Sequence, residues 1–244
     1  MLSMRSAVAG LVCFFAPWVA TGASQASSLT PGEYLTNGGW GNLKISKVLG
    51  RQLSFAIWSN GANGHSCYLR GSILNGNQGV PEISVPDKDC RLLFREDKGA
   101  IDVTINGSAS CRAFCGARAG FTGQYVRPPP SCGSGDRQRD HGEFERLYRL
   151  QHYAEARWVL KTMVEHCEAV FDWREKSQAL NDIAITQHHL GQDDACIRTL
   201  QPLATEASVS DEALRAKYPP TDYERMQKIV NWTRTNLALC RRGR

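Results

Sequence analysis

The number and placement of its cysteines constrain this chain more than any other sequence feature. The chain has nine cysteines in 244 residues, and Cys13 lies inside an N-terminal apolar segment. Residues 1–26 combine a short cationic start, an apolar core and a run of small residues, which predicts a secretory signal peptide. Export brings thiols into an oxidising compartment. We therefore expect four disulfides among the other eight cysteines: Cys67, Cys90, Cys111, Cys115, Cys132, Cys167, Cys196 and Cys240.

The same N-terminal segment predicts where the protein is found. It is too short to span a bilayer comfortably, and no later apolar stretch approaches the ~20 residues that a spanning helix needs. We expect a periplasmic or secreted protein with no integral membrane segment after the signal is removed.

A shift in composition along the chain predicts two domains. Residues 29–127 are rich in Gly, Asn and Ser, whereas Ala, Leu, Glu and Arg dominate residues 143–244. Between them, residues 128–142 contain three successive prolines and a Gly-Ser-Gly run, which is typical of a linker. The chain is therefore predicted to be an α+β protein, with an antiparallel β-barrel or meander domain followed by an all-α domain of helical hairpins.

The N-terminal half shows the alternation of apolar and polar residues that is typical of short strands. Turn sequences rich in Gly and Asn separate apolar runs at residues 43–48, 53–57, 68–74, 83–85, 92–94 and 101–105. About eight strands are expected, and closing them into a small barrel would remove the exposed edges. Gly32-Glu33-Tyr34 near the start and Gly123-Gln124-Tyr125 near the end suggest that the first and last strands meet.

Strand directions place the four cysteines of the β half at one end of the sheet. Three pairings are possible, and we favour Cys67–Cys90 with Cys111–Cys115. An alternative interpretation makes Cys67 a nucleophile activated by His65, but this requires a free thiol, and export and an even cysteine count argue against one. Trp40 and Trp58, which lie near turns, could fill the core or act as exposed anchors, and we favour the core.

The C-terminal half changes to the helical period, and its helix pairs resemble tetratricopeptide repeats. The residues that carry the resemblance are Leu147, Tyr148, Tyr153, Ala156 and Leu160 in one pair and Asn181, Ile183, Ala184, Gly191 and Ala195 in the next. The two copies, compared at Ala156 and Ala195, lie farther apart than the ~34 residues of that family, and only two pairs and a last helix are present.

The resemblance implies an antiparallel helical stack whose concave face binds a peptide or protein segment. Candidate binding residues on that face are Asp182, Gln187, Trp232 and Asn236. A second candidate is the cysteine-rich loop of the β half, where Arg112 and Arg118 are available to an anionic group. In general build, though without a shared motif, the β half looks like the periplasmic lysozyme inhibitors.

Charge and motifs exclude several classes of function. Residues 29–127 contain eleven Lys or Arg against seven Asp or Glu, and residues 143–244 contain fifteen of each, so the basic excess is too mild to predict nucleic-acid binding. The sequence has no Gly-x-Ser-x-Gly, no phosphate-binding glycine loop and no spaced set of metal ligands, so we assign no catalytic residue, metal or cofactor.

The remaining prediction is a non-enzymatic protein-binding module of the bacterial envelope. Its role would be that of an inhibitor, an immunity protein or an assembly accessory, with a protein partner that the sequence does not identify. Two alternatives stay open: an envelope hydrolase or accessory enzyme without a recognisable motif, and a purely structural exported protein.

Overall fold

A computed structural model describes residues 29–50, 52–83, 89–106 and 109–243. The predicted signal peptide therefore lies outside the described residues. The described chain forms a β-barrel followed by a set of helices, which confirms the α+β class.

Eight antiparallel strands form a closed barrel in sequence order. The strands are β1 (Gly32–Leu35), β2 (Gly41–Lys47), β3 (Leu53–Asn60), β4 (Ser66–Leu74), β5 (Gln78–Pro81), β6 (Leu92–Asp97), β7 (Ala100–Ile105) and β8 (Gly123–Val126). β1 pairs with β8 where Leu35 faces Val126, so the predicted meeting of the first and last strands is confirmed.

Of the predicted strand at residues 83–85, residues 84 and 85 lie outside the described residues, and Ile83 is exposed beyond the end of β5. β5 itself (Gln78–Pro81) is a strand that the alternation does not predict. A short strand that contains two small or cyclic residues, Gly79 and Pro81, carries little apolar alternation, so periodicity alone does not find it.

The two tyrosines of the repeated Gly-x-Tyr sequence make the same local contact at the barrel seam. Tyr34 and Tyr125 are fully buried, and each hydroxyl donates to the carbonyl four residues earlier, Thr30 at 2.7 Å and Phe121 at 2.9 Å. Each follows by two positions a glycine with positive φ, 152° at Gly32 and 156° at Gly123, a conformation that side chains disfavour. The repeated Gly-x-Tyr sequence thus reflects a repeated local structure.

Four disulfides are present, but the favoured pairing in the barrel is wrong. The structure joins Cys67 to Cys115 and Cys90 to Cys111. All four cysteines do lie at one end of the barrel, because β4 and β6 begin there and β7 ends there. After β7 the chain folds back across that end and forms a 3₁₀ helix (Ala109–Phe114). This brings Cys111 to Cys90 near the start of β6 and Cys115 to Cys67 near the start of β4.

The helical part contains seven α-helices among the described residues. They are α1 (Ser134–Arg149), α2 (Tyr153–Cys167), α3 (Trp173–His189), α4 (Asp193–Leu200), α5 (Ala204–Ser208), α6 (Asp211–Lys217) and α7 (Pro220–Arg242). Because α1 begins at Ser134, it includes part of residues 128–142, whose composition predicts a linker. Disulfides Cys132–Cys167 and Cys196–Cys240 join α2 to the segment before α1 and α4 to α7.

Three of these helices run parallel and begin at the barrel. Contacts between α1 and α3 advance together along both helices, from Arg137–Glu175 through His141–Asp182 to Tyr148–His189. On the other side of α3, Asn181 donates to Thr233 of α7 at 3.0 Å. Helices α2 and α4 run in the opposite direction between them, so the N-termini of α1, α3 and α7 all face the barrel.

Barrel side chains cap two of these three N-termini. Glu33 of β1 accepts the Ser134 N–H at the start of α1. In the turn after β3, the Asn63 side-chain oxygen accepts the Thr221 N–H at 3.0 Å, and the Asn63 N–H donates to Asp222 at 2.6 Å. The backbone donors that a helix leaves unpaired at its start are therefore bonded across the interface between the two parts.

Apolar packing joins the barrel to the helices as well. Leu35 at the end of β1 is buried in the core formed by α1, α2 and α3. Gly39 in the β1–β2 turn lies so close to the backbone before α3 that a Cβ there would stand 2.4 Å from the Asp172 nitrogen. Only glycine fits this contact.

None of the helices in the described part of the chain combines the length and the apolar character needed to cross a membrane.

Candidate functional site: a cleft between the barrel and the helices

A cleft of about 320 Å³ opens where the barrel meets the N-termini of α3 and α7. We call it the interdomain cleft, and it is lined by Gly38, Trp40, Asn60, Gly61, Ala62, Asp172, Trp173, Arg174, Asp222 and Arg225. Ligand sites occur preferentially at such junctions, where two walls of different chemistry face each other.

The barrel wall of the cleft is built from two turns that are bonded to each other. Trp40, in the turn before β2, packs edge-on against the buried ring of Tyr125 with 5.8 Å between ring centroids. Its carbonyl accepts the Asn60 N–H at 2.7 Å, which links the β1–β2 turn to the end of β3. The neighbouring Gly38 N–H donates to the Ala169 carbonyl at 2.8 Å and thereby fixes the wall against the helical part.

The first turn of α3 forms the facing wall. Asp172 is its N-cap, with its carboxylate accepting the Arg174 and Glu175 N–H groups, and Glu175 completes a capping box. The Asp172 carboxylate also bonds the Arg174 guanidinium at 2.6 Å. Trp173 begins the helix and remains 43% exposed. A rigid helix end thus holds a large aromatic ring at the rim of the cleft.

The start of α7 supplies the third side and the only unpaired charge among the described cleft residues. Asp222 is engaged by the Asn63 N–H, and Asp172 by its cap and by Arg174. Arg225 has no hydrogen bond or ion pair with any residue that the structure describes. The cleft therefore offers two indole rings and one free guanidinium to a ligand.

The indole rings and the guanidinium of this lining are groups that are common at binding interfaces. Among the described residues that line the cleft there is no Ser, Cys or His to act as a nucleophile or a proton carrier, and both carboxylates are occupied. Nothing in the described lining has the donor set of a metal or cofactor site.

The four candidate residues of the helical part do not form one site. Asp182 on α3 is half-buried and lies 3.7 Å from His141 of α1. Gln187 is buried and accepts a hydrogen bond from Thr199, and Asn236 is buried and donates to Asn181 Oδ1 at 3.1 Å. Trp232 on α7 is exposed. Gln187 and Asn236 thus hold helices together, Asp182 lies half-buried between α3 and α1, and Trp232 lies at the surface.

Arg112 and Arg118 of the disulfide-bonded loop are both exposed, and neither lines the cleft. A Cβ at Gly61 would stand 1.9 Å from the Arg118 carbonyl, so the loop packs directly on the turn that lines the cleft. Because Cys67 is bonded to Cys115, the alternative in which His65 activates a free Cys67 thiol does not apply.

Sequence reasoning missed Trp173 and Arg225, and it placed Trp40 and Trp58 together in the core. Trp40 does pack on the barrel core, but Trp58 is exposed on the outer face of β3. The sequence did contain one usable signal. Asp172 followed three residues later by Glu175 is a capping pattern, and it marks the start of α3 several residues before the apolar periodicity begins.

His188, Asp193 and Cys240 come close enough together to resemble a metal site. The Cys240 sulfur is bonded to Cys196, so only two ligands remain, and the His188 ring nitrogen is already 2.6 Å from the Asp193 carboxylate. We interpret this group as a structural contact between α3 and α4.

No protein-family model matches this sequence, and no match was found among curated proteins or among solved structures. We therefore infer function from the geometry of the clefts and their linings.

Proposed function

We propose that this protein is a binding module that holds a segment of another protein in the interdomain cleft. The proposal follows from the cleft's position between two rigidly joined parts, its two indole rings and the unpaired guanidinium of Arg225. It contains no catalytic step.

The observation that carries the proposal is the exposure of tryptophan. Of the five tryptophans in the described residues, four are exposed: Trp58, Trp158, Trp173 and Trp232. Tryptophan is highly buried on average in proteins, and it is among the residues most enriched at binding hot spots. Trp173 is the one of these four that lines the interdomain cleft, so we assign it as the anchor.

The cleft chemistry indicates what the bound segment contains. The rings of Trp40 and Trp173 would enclose an apolar side chain, and Arg225 would pair with a carboxylate next to it. The side-chain amide of Asn60 suits hydrogen bonding to an extended backbone. We therefore expect a partner segment in which an acidic residue neighbours a large apolar one.

The helical arrangement supports a protein partner. Parallel helices α1, α3 and α7, separated by returning helices, resemble the layout of tetratricopeptide-like stacks, whose concave surfaces bind other proteins. Four disulfides suit an exported protein. Within this proposal the role is that of an inhibitor, immunity protein or assembly accessory in the periplasm or outside the cell.

Photo-crosslinking tests the proposal and identifies the partner in the same experiment. Benzoylphenylalanine is placed at Trp173 in the full chain, expressed in cells that carry the gene, and irradiated. We expect one dominant crosslinked protein, identified by mass spectrometry. Trp158, which is 67% exposed on α2 and outside the cleft, gives the matched control, and benzoylphenylalanine there should not capture the same protein.

A third position separates this proposal from the other predicted site. If benzoylphenylalanine at Arg118 captures a protein and the Trp173 position captures none, the binding surface is the disulfide-bonded loop and our assignment of the cleft fails. Equal capture from Trp173 and Trp158 would likewise contradict it.

A further inference from the structure

A second cleft, of about 280 Å³, lies on the opposite side of the first turn of α3, between α3 and α1. We call it the Arg137 cleft. Its polar lining is Ser134, Arg137, Gln138, His141, Glu175 and Gln178, and its apolar lining is Met163, Phe171 and Ala179. The combination of one apolar wall and a few convergent polar groups is typical of small-ligand sites.

Arg137 is buried to more than nine-tenths, yet its guanidinium is incompletely paired. Nη1 donates to the Cys132 carbonyl at 2.7 Å. Nη2 reaches the two Glu175 oxygens only at 3.4 and 3.5 Å, which is long for an ion pair. Nε has no hydrogen-bond partner among the described residues. A buried donor without a partner is unfavourable, because it has lost its hydrogen bonds to water and gained none in the protein.

The missing hydrogen bonds fall on one edge of the guanidinium. Nε–H and the neighbouring N–H of Nη2 point the same way, and this pair of donors is the edge that binds a carboxylate through two parallel hydrogen bonds. Glu175 contacts only Nη2 of this edge, at 3.4 and 3.5 Å, and its Oε2 also accepts the Asp172 N–H in the capping box. One of the two donors of a carboxylate-binding edge, Nε–H, is therefore left without an acceptor among the described residues.

The surroundings favour a carboxylate on a short apolar body. Phe171 lies beneath the guanidinium with 5.6 Å to the ring centroid, and together with Met163 it forms the apolar wall. Gln178 is exposed at the rim and its amide can donate to a second oxygen. His141 also lines the cleft, and the neighbouring carboxylate of Asp182, 3.7 Å away, raises its pKa.

We propose that the Arg137 cleft binds a carboxylate attached to a branched aliphatic group, with the Nε–Nη2 edge of Arg137 as its anchor. Two sources share this chemistry: the C-terminal residue of a peptide and a free small acid. The proposal is independent of the interdomain cleft and stands if that cleft binds nothing.

The test compares an acid with its isosteric amide. N-acetyl-leucine and N-acetyl-leucinamide are titrated into the full oxidised chain, and amide shifts of α1 and α3 are followed by NMR. We expect the acid to bind with a dissociation constant on the order of 1 mM, since ligands this small gain little free energy, and at least tenfold more tightly than the amide. A peptide ending in a free leucine and the same peptide amidated then distinguish a peptide terminus from a free acid.

Three variants assign the binding to Arg137. Arg137→Lys keeps the charge but loses the two-donor edge, and it should weaken binding of the acid at least tenfold. Gln178→Glu adds a negative charge at an exposed rim position, so it tests the cleft even if Arg137→Lys folds poorly. Arg139→Lys, an exposed arginine on the same helix outside the cleft, should change nothing. Three results would overturn the proposal. They are equal binding of acid and amide, no binding at an acid concentration about tenfold above the expected dissociation constant, and unchanged binding of the acid by Gln178→Glu.

Discussion

At the residue scale, the surroundings shift the pKa values of two histidines in opposite directions. The pKa of His141 is raised, first by its hydrogen bond with Asp182 and further by the surrounding carboxylates, against the effect of burial. The pKa of His189 is lowered by burial and by the charge of the adjacent His188. Protonation of His141 therefore stabilises the folded state, and protonation of His189 opposes it.

Replacing Asp182 with Asn should lower the pKa of His141. The raised folded pKa means that the stabilisation is fully present below the unfolded value of ~6.5 and is lost as pH rises through the folded pKa. The wild type should thus exceed Asp182→Asn in melting temperature by more at about pH 6 than at about pH 8.5. An NMR titration of the imidazole resonances measures the pKa directly, with His189 as the internal control. An unchanged His141 pKa would show that Asp182 does not set it.

At the element scale, the sequence predicts most elements and the meeting of the first and last strands, but it misses most of the contacts that join distant segments. Alternation and helical period find most strands and helices, because each pattern depends on neighbours in sequence. The caps that Glu33 and Asn63 provide, the pairing Cys67–Cys115, and the short strand β5 depend on groups brought together by folding. For the same reason the role of Trp173 cannot be predicted from the sequence, because the cleft that it lines forms only where α3, α7 and the barrel meet.

Asn63→Ala should destabilise the protein by about 1 kcal/mol more than Asn75→Ala, its matched control, because only the first substitution removes the cap of the Thr221 N–H. Both asparagines have a positive φ, 57° and 51°, so both substitutions introduce similar backbone strain, but Asn75 lies in the exposed β4–β5 turn, away from any described helix start. Denaturant unfolding measures both. Equal losses would show that the cap contributes nothing.

Asn236→Ala tests the buried contact between α3 and α7. The substitution leaves Asn181 Oδ1 without its donor in a buried site, so we expect a loss of about 1–3 kcal/mol. Asn231→Ala, an exposed position on the same helix, should stay within about 0.5 kcal/mol of the wild type. If the two variants unfold at the same denaturant concentration, the buried network does not hold these helices together.

At the scale of the whole molecule, the barrel and the helices act as one support for the interdomain cleft. The walls of the cleft are held together by three kinds of contact. These are the hydrogen bonds of Glu33 and Asn63 to the helix starts, the packing of Leu35, and the close approach at Gly39. Preformed walls reduce the entropy that binding must overcome. In the proposed function, these preformed walls would reduce the entropy cost of binding a chain segment.

Isothermal titration with a peptide selected from a random library on the wild-type protein tests the assignment of the interdomain cleft most directly. We predict that Trp173→Ala weakens the peptide at least tenfold, about 1.4 kcal/mol, whereas Trp158→Ala, the more exposed tryptophan outside the cleft, stays within about twofold. If Trp173→Ala binds the peptide as tightly as the wild type, or if Trp158→Ala loses as much affinity, the interdomain cleft is not the binding site.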